Sequence, residues 1–178
     1  LLACLATSGQ SRAGTDIEKF DDGTVQMERE FTRDAADNRV WDGKHVEYYA
    51  GGRKQCEGRY RTGKREGRWT VWSPAGRVRT EGAYASDRET GVWTIYDDLG
   101  RKREQGEYAA GQRSGRWASW FPGGRPREEG SYSAGDKSGR WVFWHRGGLL
   151  KKEEGDYRSG KRRGIWTVWT DDGGETSQ

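Results

Sequence analysis

The chain repeats itself with a period of 24 residues over most of its length. Tryptophan marks this period at Trp69, Trp93, Trp117 and Trp141, and a further copy, Trp166, is displaced by one residue. Glycine keeps the same spacing at Gly67, Gly91, Gly115, Gly139 and Gly164. Self-similarity of this length is typical of proteins in which small units stack and each unit contacts only its neighbours.

One unit has the pattern of a β-hairpin. Residues 68–72 contain Trp, Thr and Val and are followed by Ser73-Pro74-Ala75-Gly76, which indicates a strand that leads into a turn. Residues 77–84 supply a second strand, and residues 85–90 lead to the next unit. Because no 3.6-residue period occurs in the repeats, we expect an all-β fold. The predicted architecture is an elongated repeat array of β-hairpins that forms a long twisted antiparallel meander sheet.

The simplest register of the hairpin pairs Val71 with Val78. It predicts that Trp69 lies opposite Thr80 on one face and that Trp72 lies opposite Arg77 on the other. Both faces of the sheet would then carry aromatic side chains.

Composition limits how such an array can be stabilised. Hydrophobic residues make up 31% of the 178 residues and charged residues 34%. This chain cannot fill a conventional two-layer core, yet ten regularly spaced tryptophans are not typical of a disordered chain. We therefore expect a thin protein held together by aromatic residues that stack between neighbouring units.

The repeat resembles a known motif. Its recurring positions in one unit are Tyr60, Gly63, Gly67, Trp69, Trp72, Gly76, Glu81, Gly82 and Tyr84. In this spacing, roughly residues 43–174 resemble the variant MORN repeats of the bacterial YwqK family, whose members are often labelled antitoxins. The resemblance implies a repeat scaffold and does not specify a reaction. It departs at Asp87, where other units have glycine, so we expect a different turn there.

Four segments follow from the pattern. Residues 1–15 are expected to be a flexible N-terminal tether, and residues 16–66 to form an N-terminal cap and one imperfect repeat. Residues 67–174 hold the regular repeats, and residues 175–178 are expected to be a disordered tail. The last repeat strand would then lack a partner, and such an edge strand offers one route to a dimer.

The first residues, Leu1-Leu2-Ala3-Cys4, resemble the lipobox of bacterial lipoproteins. The resemblance implies lipidation of Cys4 and anchoring at a bacterial cell envelope, on the periplasmic or the outer side. The alternative is a terminal cysteine without a function, in a protein that stays in the cytoplasm.

The residue types of catalytic and metal sites are sparse. His45 and His145 are about four periods apart, so we do not expect them to meet, and Cys56 is expected to be a packed thiol. Two cysteines are too few for a cysteine-based zinc site or a disulfide framework. The glutamates that recur by repeat are expected to pair with neighbouring Arg and Lys; they are Glu81, Glu104, Glu128 and Glu153. We expect no catalytic residue, metal or cofactor.

One set of residues is a candidate binding strip. Its arginines are Arg77, Arg79, Arg101, Arg103, Arg125 and Arg127, and its aromatic residues are Trp72, Tyr96, Trp120 and Trp144. One interpretation is intramolecular cation–π packing on a solvated face. The other is a strip that binds an acidic glycan or anionic lipid. Nucleic acid is disfavoured because glutamates interrupt the strip and because an exported protein would not meet it.

These observations favour a non-enzymatic scaffold or interaction module with a protein partner, associated with a bacterial envelope. An antitoxin-like or immunity protein that neutralises a toxin by binding it is the alternative from a different class. The third possibility is a binder of acidic glycan or anionic lipid through the Arg/Trp strip.

Overall fold

The computed structural model describes residues 13–177, which form one open antiparallel sheet. Its strands are β1 (Gly14–Lys19), β2 (Val25–Arg33), β3 (Arg39–Tyr48), β4 (Lys54–Arg61), β5 (Lys64–Trp72), β6 (Val78–Ala85), β7 (Arg88–Tyr96), β8 (Lys102–Ala109), β9 (Gln112–Trp120), β10 (Pro126–Ser133), β11 (Asp136–Trp144), β12 (Lys151–Arg158), β13 (Lys161–Trp169) and β14 (Glu175–Ser177). Each strand pairs with the next along the chain. The predicted all-β meander of hairpins is confirmed.

Tight turns close one end of each hairpin and use left-handed backbone. In the turn between β8 and β9, Ala110 and Gly111 have φ of 51° and 86°. Two successive positive φ values are the mark of the type I′ turn, whose twist matches that of the strands. Ser86 and Asp87 adopt the same conformation, with φ of 51° and 69°, so the prediction of a different turn at Asp87 is wrong.

Asp87 fits the turn for two reasons. Aspartate enters the left-handed region more easily than most residues. Its Oδ1 also accepts hydrogen bonds from the backbone amide and the Nε of Arg65, at 2.9 and 3.1 Å. Aspartate therefore serves in place of the glycine that the other units use.

The hairpin register differs from the expected one. Val71 lies opposite Thr80, and Trp69 lies opposite Gly82. The prediction that Val71 pairs with Val78 is wrong because Trp72 takes Val78 as its partner and the residue between Val78 and Thr80 has no partner on β5. This β-bulge shifts the register of all residues beyond it.

Most of the core is a single file of aromatic rings on one face of the sheet, whereas Val46 is fully buried on the opposite face. The rings run from His45 through Tyr60, Trp69, Tyr84, Trp93, Tyr108, Trp117, Tyr132, Trp141 and Tyr157 to Trp166. Successive centroids are 5.0–6.1 Å apart and the contacts are edge-to-face, the favoured geometry for aromatic pairs. This aromatic spine is the stacking between units that the composition predicts.

Each tryptophan of the spine rests on a glycine of the preceding strand. A Cβ added to Gly106 would lie 2.0 Å from Cδ2 of Trp117, and the Nε1 of Trp117 donates a hydrogen bond to the carbonyl of Glu107 at 2.9 Å. Gly115, with φ of 61°, forms the bulge that precedes the tryptophan. Glycine and tryptophan therefore recur together because the indole needs two glycines. One, like Gly115, forms the bulge, and the other, like Gly106, offers a surface without a side chain on which the ring can lie.

Cations cover the spine on its solvent side. Arg113 lies 4.1 Å from the ring centroid of Trp117, and Lys137 lies 3.8 Å from that of Trp141. Carboxylates neutralise them, since Glu104 is 2.7 Å from Arg113 and the next repeat has the same arrangement. A layer of charged side chains thus covers the spine in place of the second layer of secondary structure that this thin protein lacks.

Hydrogen bonds to backbone carbonyls, donated by backbone amides and by arginine side chains, link successive hairpins. At one end of the strands, the amide of Gly111 donates to the carbonyl of Glu89 at 2.9 Å. At the other end, Arg77 and Arg125 donate to the carbonyls of Asp98 and Gly147, in the following repeat, at 2.5 and 2.6 Å. Successive units are therefore tied together at the Gly111 end of the strands and, in the repeats of Arg77 and Arg125, at the opposite end as well.

The ends of the sheet correct two boundaries. β1 begins at Gly14, so residues 14–15 belong to a strand and not to the predicted tether. Trp169 pairs with Glu175 in β14, so the prediction of a disordered tail is wrong for residues 175–177. The last repeat strand has a partner, and β14 takes its place as the edge strand. Cys4 and the predicted lipidation lie outside the described residues.

The described part of the chain contains no helix long and apolar enough to cross a lipid bilayer.

Candidate interaction groove

The face opposite the spine carries a groove that crosses the strands. It consists of three adjoining depressions of about 480, 370 and 550 Å³. The first two share Arg68 and Glu81, and Val92 lines both the second and the third. The groove extends from β3 to β11, which at about 4.8 Å per strand is roughly 38 Å.

Ion pairs within the chain neutralise the groove toward β3. Glu57 lies 2.6 Å from Lys54 and 3.7 Å from Lys44, and Arg68 lies 2.5 Å from Glu81. Hydrogen bonds from Tyr96 and Arg68 hold the pKa of Glu81 below its usual range. These carboxylates are already satisfied and stabilise the sheet.

The recurring glutamates behave as predicted but belong to two rows. Glu81 pairs with Arg68 on the groove face. On the spine side, Glu104, Glu128 and Glu153 pair with Arg113, Lys137 and Arg162. The predicted pairing is confirmed. Glu81, however, corresponds to Gln105 of the next repeat and not to Glu104. Glu81 lies opposite Thr70, just as Gln105 lies opposite Thr94.

The central segment of the groove, from β7 to β11, departs from the repeat pattern. Val92, which is 55% exposed, stands where the neighbouring units have Arg68 and Arg116. Ala118 and Val142 replace the threonine of other units, and Gln105 replaces the glutamate. These residues line the widest depression together with Trp120. Its floor is therefore more apolar and less charged than the rest of this face.

Unpaired charges surround that floor. Arg116, Glu107 and Glu129 line the central segment, and within residues 13–177 no ion pair involves their side chains. Both signs of charge are present around an apolar strip. This arrangement suits a ligand that is itself both apolar and charged.

The candidate binding strip is divided between two parts of the molecule. Trp72 and Trp120 line the groove, and the hydroxyl of Tyr96 bonds Glu81 there; Trp144 ends β11 at the equivalent position. The arginines lie at or beside the turns. Arg77, Arg79, Arg101 and Arg125 bond turn residues, whereas Arg103 and Arg127 are exposed. In the described region, no cation–π contact joins these six arginines to the four aromatic residues of the strip.

Binding of a polyanion by the arginines stays a prediction. We expect weak binding of an acidic glycan such as heparin that disappears at high salt, because exposed charges are screened beyond about 10 Å at 0.1 M. Changing Arg101, Arg103, Arg125 and Arg127 to Ser should abolish it without unfolding the protein. Fluorescence anisotropy of a labelled glycan across a salt series provides the measurement.

The control variant removes the same charge from the opposite turns: Arg61, Lys64, Arg158 and Lys161 to Ser. It should retain at least half of the binding. Binding that survives high salt, or its absence at low salt, would contradict the prediction.

The structure also brings together three residues that sequence reasoning treated separately. His45 Nε2 is 3.1 Å from Oε1 of Glu47, and Cys56 is directly opposite Glu47 in the register of β3 and β4. Burial lowers the pKa of His45 and raises the pKa of the Cys56 thiol to about 12. The repeat pattern contained a signal for this cluster. The three residues stand one period before Trp69, Val71 and Thr80, and all three differ from them in residue type.

Comparison with known proteins gives no assignment. No protein-family model matches the chain, and no curated protein matches it significantly. The resemblance to the YwqK-type MORN variant therefore stays a prediction.

Proposed function

We propose that this protein is a non-enzymatic interaction module that binds an extended polypeptide segment of a partner protein in the groove. The observation that carries the proposal is the central segment. There, the apolar residues Val92, Ala118 and Val142 are surrounded by the unpaired charges of Arg116 and Glu129.

The dimensions fit an extended peptide. The central segment spans β7 to β11, about 19 Å at 4.8 Å per strand. An extended peptide advances about 3.3 Å per residue, so about six residues cover this distance. Side chains of such a peptide alternate between the floor and the solvent, which suits a strip of small apolar residues between charged rims.

The chemistry of the lining favours a peptide over the other ligand classes. A binder of anionic lipid needs an excess of positive charge, whereas Glu107 and Glu129 lie beside Arg116 and Arg140 in the groove. A glycan site relies on flat aromatic platforms, and of the four aromatic residues of the strip only Trp120 lines the central depression. A peptide with apolar residues and charges of both signs matches all of these groups. Lipidation of Cys4, as predicted, would hold the module at a bacterial envelope.

A variant with a regular groove tests the proposal. Val92→Arg, Gln105→Glu, Ala118→Thr and Val142→Thr introduce residues that neighbouring units already have, so the fold should be retained. Peptides selected from a random display library on the wild-type protein should bind by anisotropy, and the variant should weaken binding at least tenfold.

The matched control carries four changes on exposed turns away from the groove: Ala75→Ser, Asp98→Asn, Pro122→Ala and Ala134→Ser. It should bind the same peptides as tightly as the wild type. Failure to select any peptide, or equal binding by the regular-groove variant, would refute the proposal. A glycan that binds the wild type in an array and fails on the variant would point to the glycan class instead.

A further inference from the structure

The first imperfect repeat departs from the aromatic spine at one place. His45, Glu47 and Cys56 occupy the positions that Trp69, Val71 and Thr80 hold one period later. All three positions lie on the spine side of the sheet, and the replacements convert an apolar patch into a set of nitrogen, oxygen and sulfur donors.

The geometry of this cluster is compact. One donor atom from each of His45, Glu47 and Cys56 lies within 4.8 Å of the others. The imidazole is held between Tyr60 and Trp69, with ring centroids 5.4 and 5.5 Å away. His45 is only 3% exposed, whereas 41% of the Glu47 side chain is exposed, so the cluster is rigid on one side and open on the other.

A polar atom of the cluster lacks a partner. The Nδ1 of His45 is buried and has no hydrogen-bond partner within residues 13–177. An unsatisfied buried donor or acceptor is costly and needs an explanation.

We propose that His45, Glu47 and Cys56 form a binding site for a divalent transition-metal ion of the Zn²⁺ class. Zinc accepts imidazole, carboxylate and thiolate ligands, and three protein ligands leave a fourth position for water. A tetrahedral site with bonds of about 2.0–2.3 Å separates its ligands by roughly 3.3–3.8 Å. Closing the cluster to this size requires side-chain movements of about 1 Å.

Charge balance supports a dication. The carboxylate of Glu47 and the thiolate of Cys56 together neutralise it, and the thiol proton is released to water on binding. Arg29 is the neighbouring cation. It lies opposite His45 in the pairing of β2 with β3, and its guanidinium carbon is 3.5 Å from the ring centroid of Trp41. Its charge lowers the affinity, and the sulfur ligand favours zinc over magnesium and calcium.

Cobalt binding provides the direct test. The reduced, chelator-treated full chain is titrated with Co²⁺. A thiolate-to-cobalt charge-transfer band should appear and should reach its maximum at one equivalent of Co²⁺. Zn²⁺ should remove this band by competition and should raise the Tm of the wild type.

The key variant restores the repeat with His45→Trp, Glu47→Val and Cys56→Thr, so it is expected to fold and to show no band and no Tm shift. Cys56→Ser alone should lose the charge-transfer band, whereas Cys4→Ser should keep it. The proposal is overturned if the wild type shows no band at equimolar Co²⁺. It is equally overturned if Cys56→Ser or the restored-repeat variant binds Co²⁺ like the wild type, or if Cys4→Ser abolishes binding.

Discussion

Trp117→Ala is expected to lower the free energy of unfolding by about 3–5 kcal/mol, as large-to-small changes of buried aromatic residues do. Trp117 is 4% exposed and packs edge-to-face against Tyr108 and Tyr132, at 5.1 and 5.7 Å between ring centroids. Its removal interrupts the spine in the middle of the array. Urea denaturation followed by circular dichroism measures the change.

Trp120→Ala is the matched control, because Trp120 ends the same strand, lies on the groove face and is only partly buried. It should cost about 1 kcal/mol. Equal losses for the two variants would contradict the assignment of the core around β9 to the spine face.

Gly106→Ala is expected to destabilise the protein by about 3 kcal/mol, the upper part of the usual range for overpacking. The new Cβ would lie 2.0 Å from Cδ2 of Trp117, and the bulge and the Nε1 hydrogen bond to Glu107 limit any movement of the indole. The backbone of Gly106 is not left-handed, so the effect is steric. Thermal and urea unfolding measure it.

Two comparisons isolate the steric cause. Gly147→Ala should be nearly neutral, because Gly147 also has an ordinary backbone and no atom lies within 4 Å of the added Cβ. Combining Gly106→Ala with Trp117→Ala should cost clearly less than the sum of the two single changes, since removal of the ring relieves the clash. Additive losses would show that the clash is not with Trp117.

The two faces of the sheet have separate roles. The spine face combines indole rings, glycines and a covering layer of cationic side chains, so most substitutions there change the stability of the fold. The groove face shows more variation between repeats, as Val92 and Ala118 illustrate, because its side chains are not needed to stack one unit on the next. A repeat protein can therefore change what it binds without changing how it folds.

The period, the strands and the turns could all be predicted from the order of the amino acids. These features depend on local chemistry: Trp, Thr and Val favour extended backbone, Ser73-Pro74-Ala75-Gly76 closes a turn, and the 24-residue spacing of Trp69 and Trp93 requires stacking. The pairing of recurring glutamates with neighbouring cations followed from the same regularity, and the contact between Glu128 and Lys137 confirms it.

The register, the assignment of residues to the two faces and the grouping of side chains follow from the folded sheet and could not be predicted. A single bulge before Thr80 moves every later pair, and no local preference reveals how many residues a bulge contains. The predicted tail at 175–177 is a strand because β13 supplies the hydrogen-bonding partner that a sequence pattern does not show. Cys56 meets His45 and Glu47 through strand pairing, and the central groove arises where small departures on four strands between β7 and β11 adjoin. Contacts of this kind depend on distances between strands, and these distances exist only once the sheet has formed.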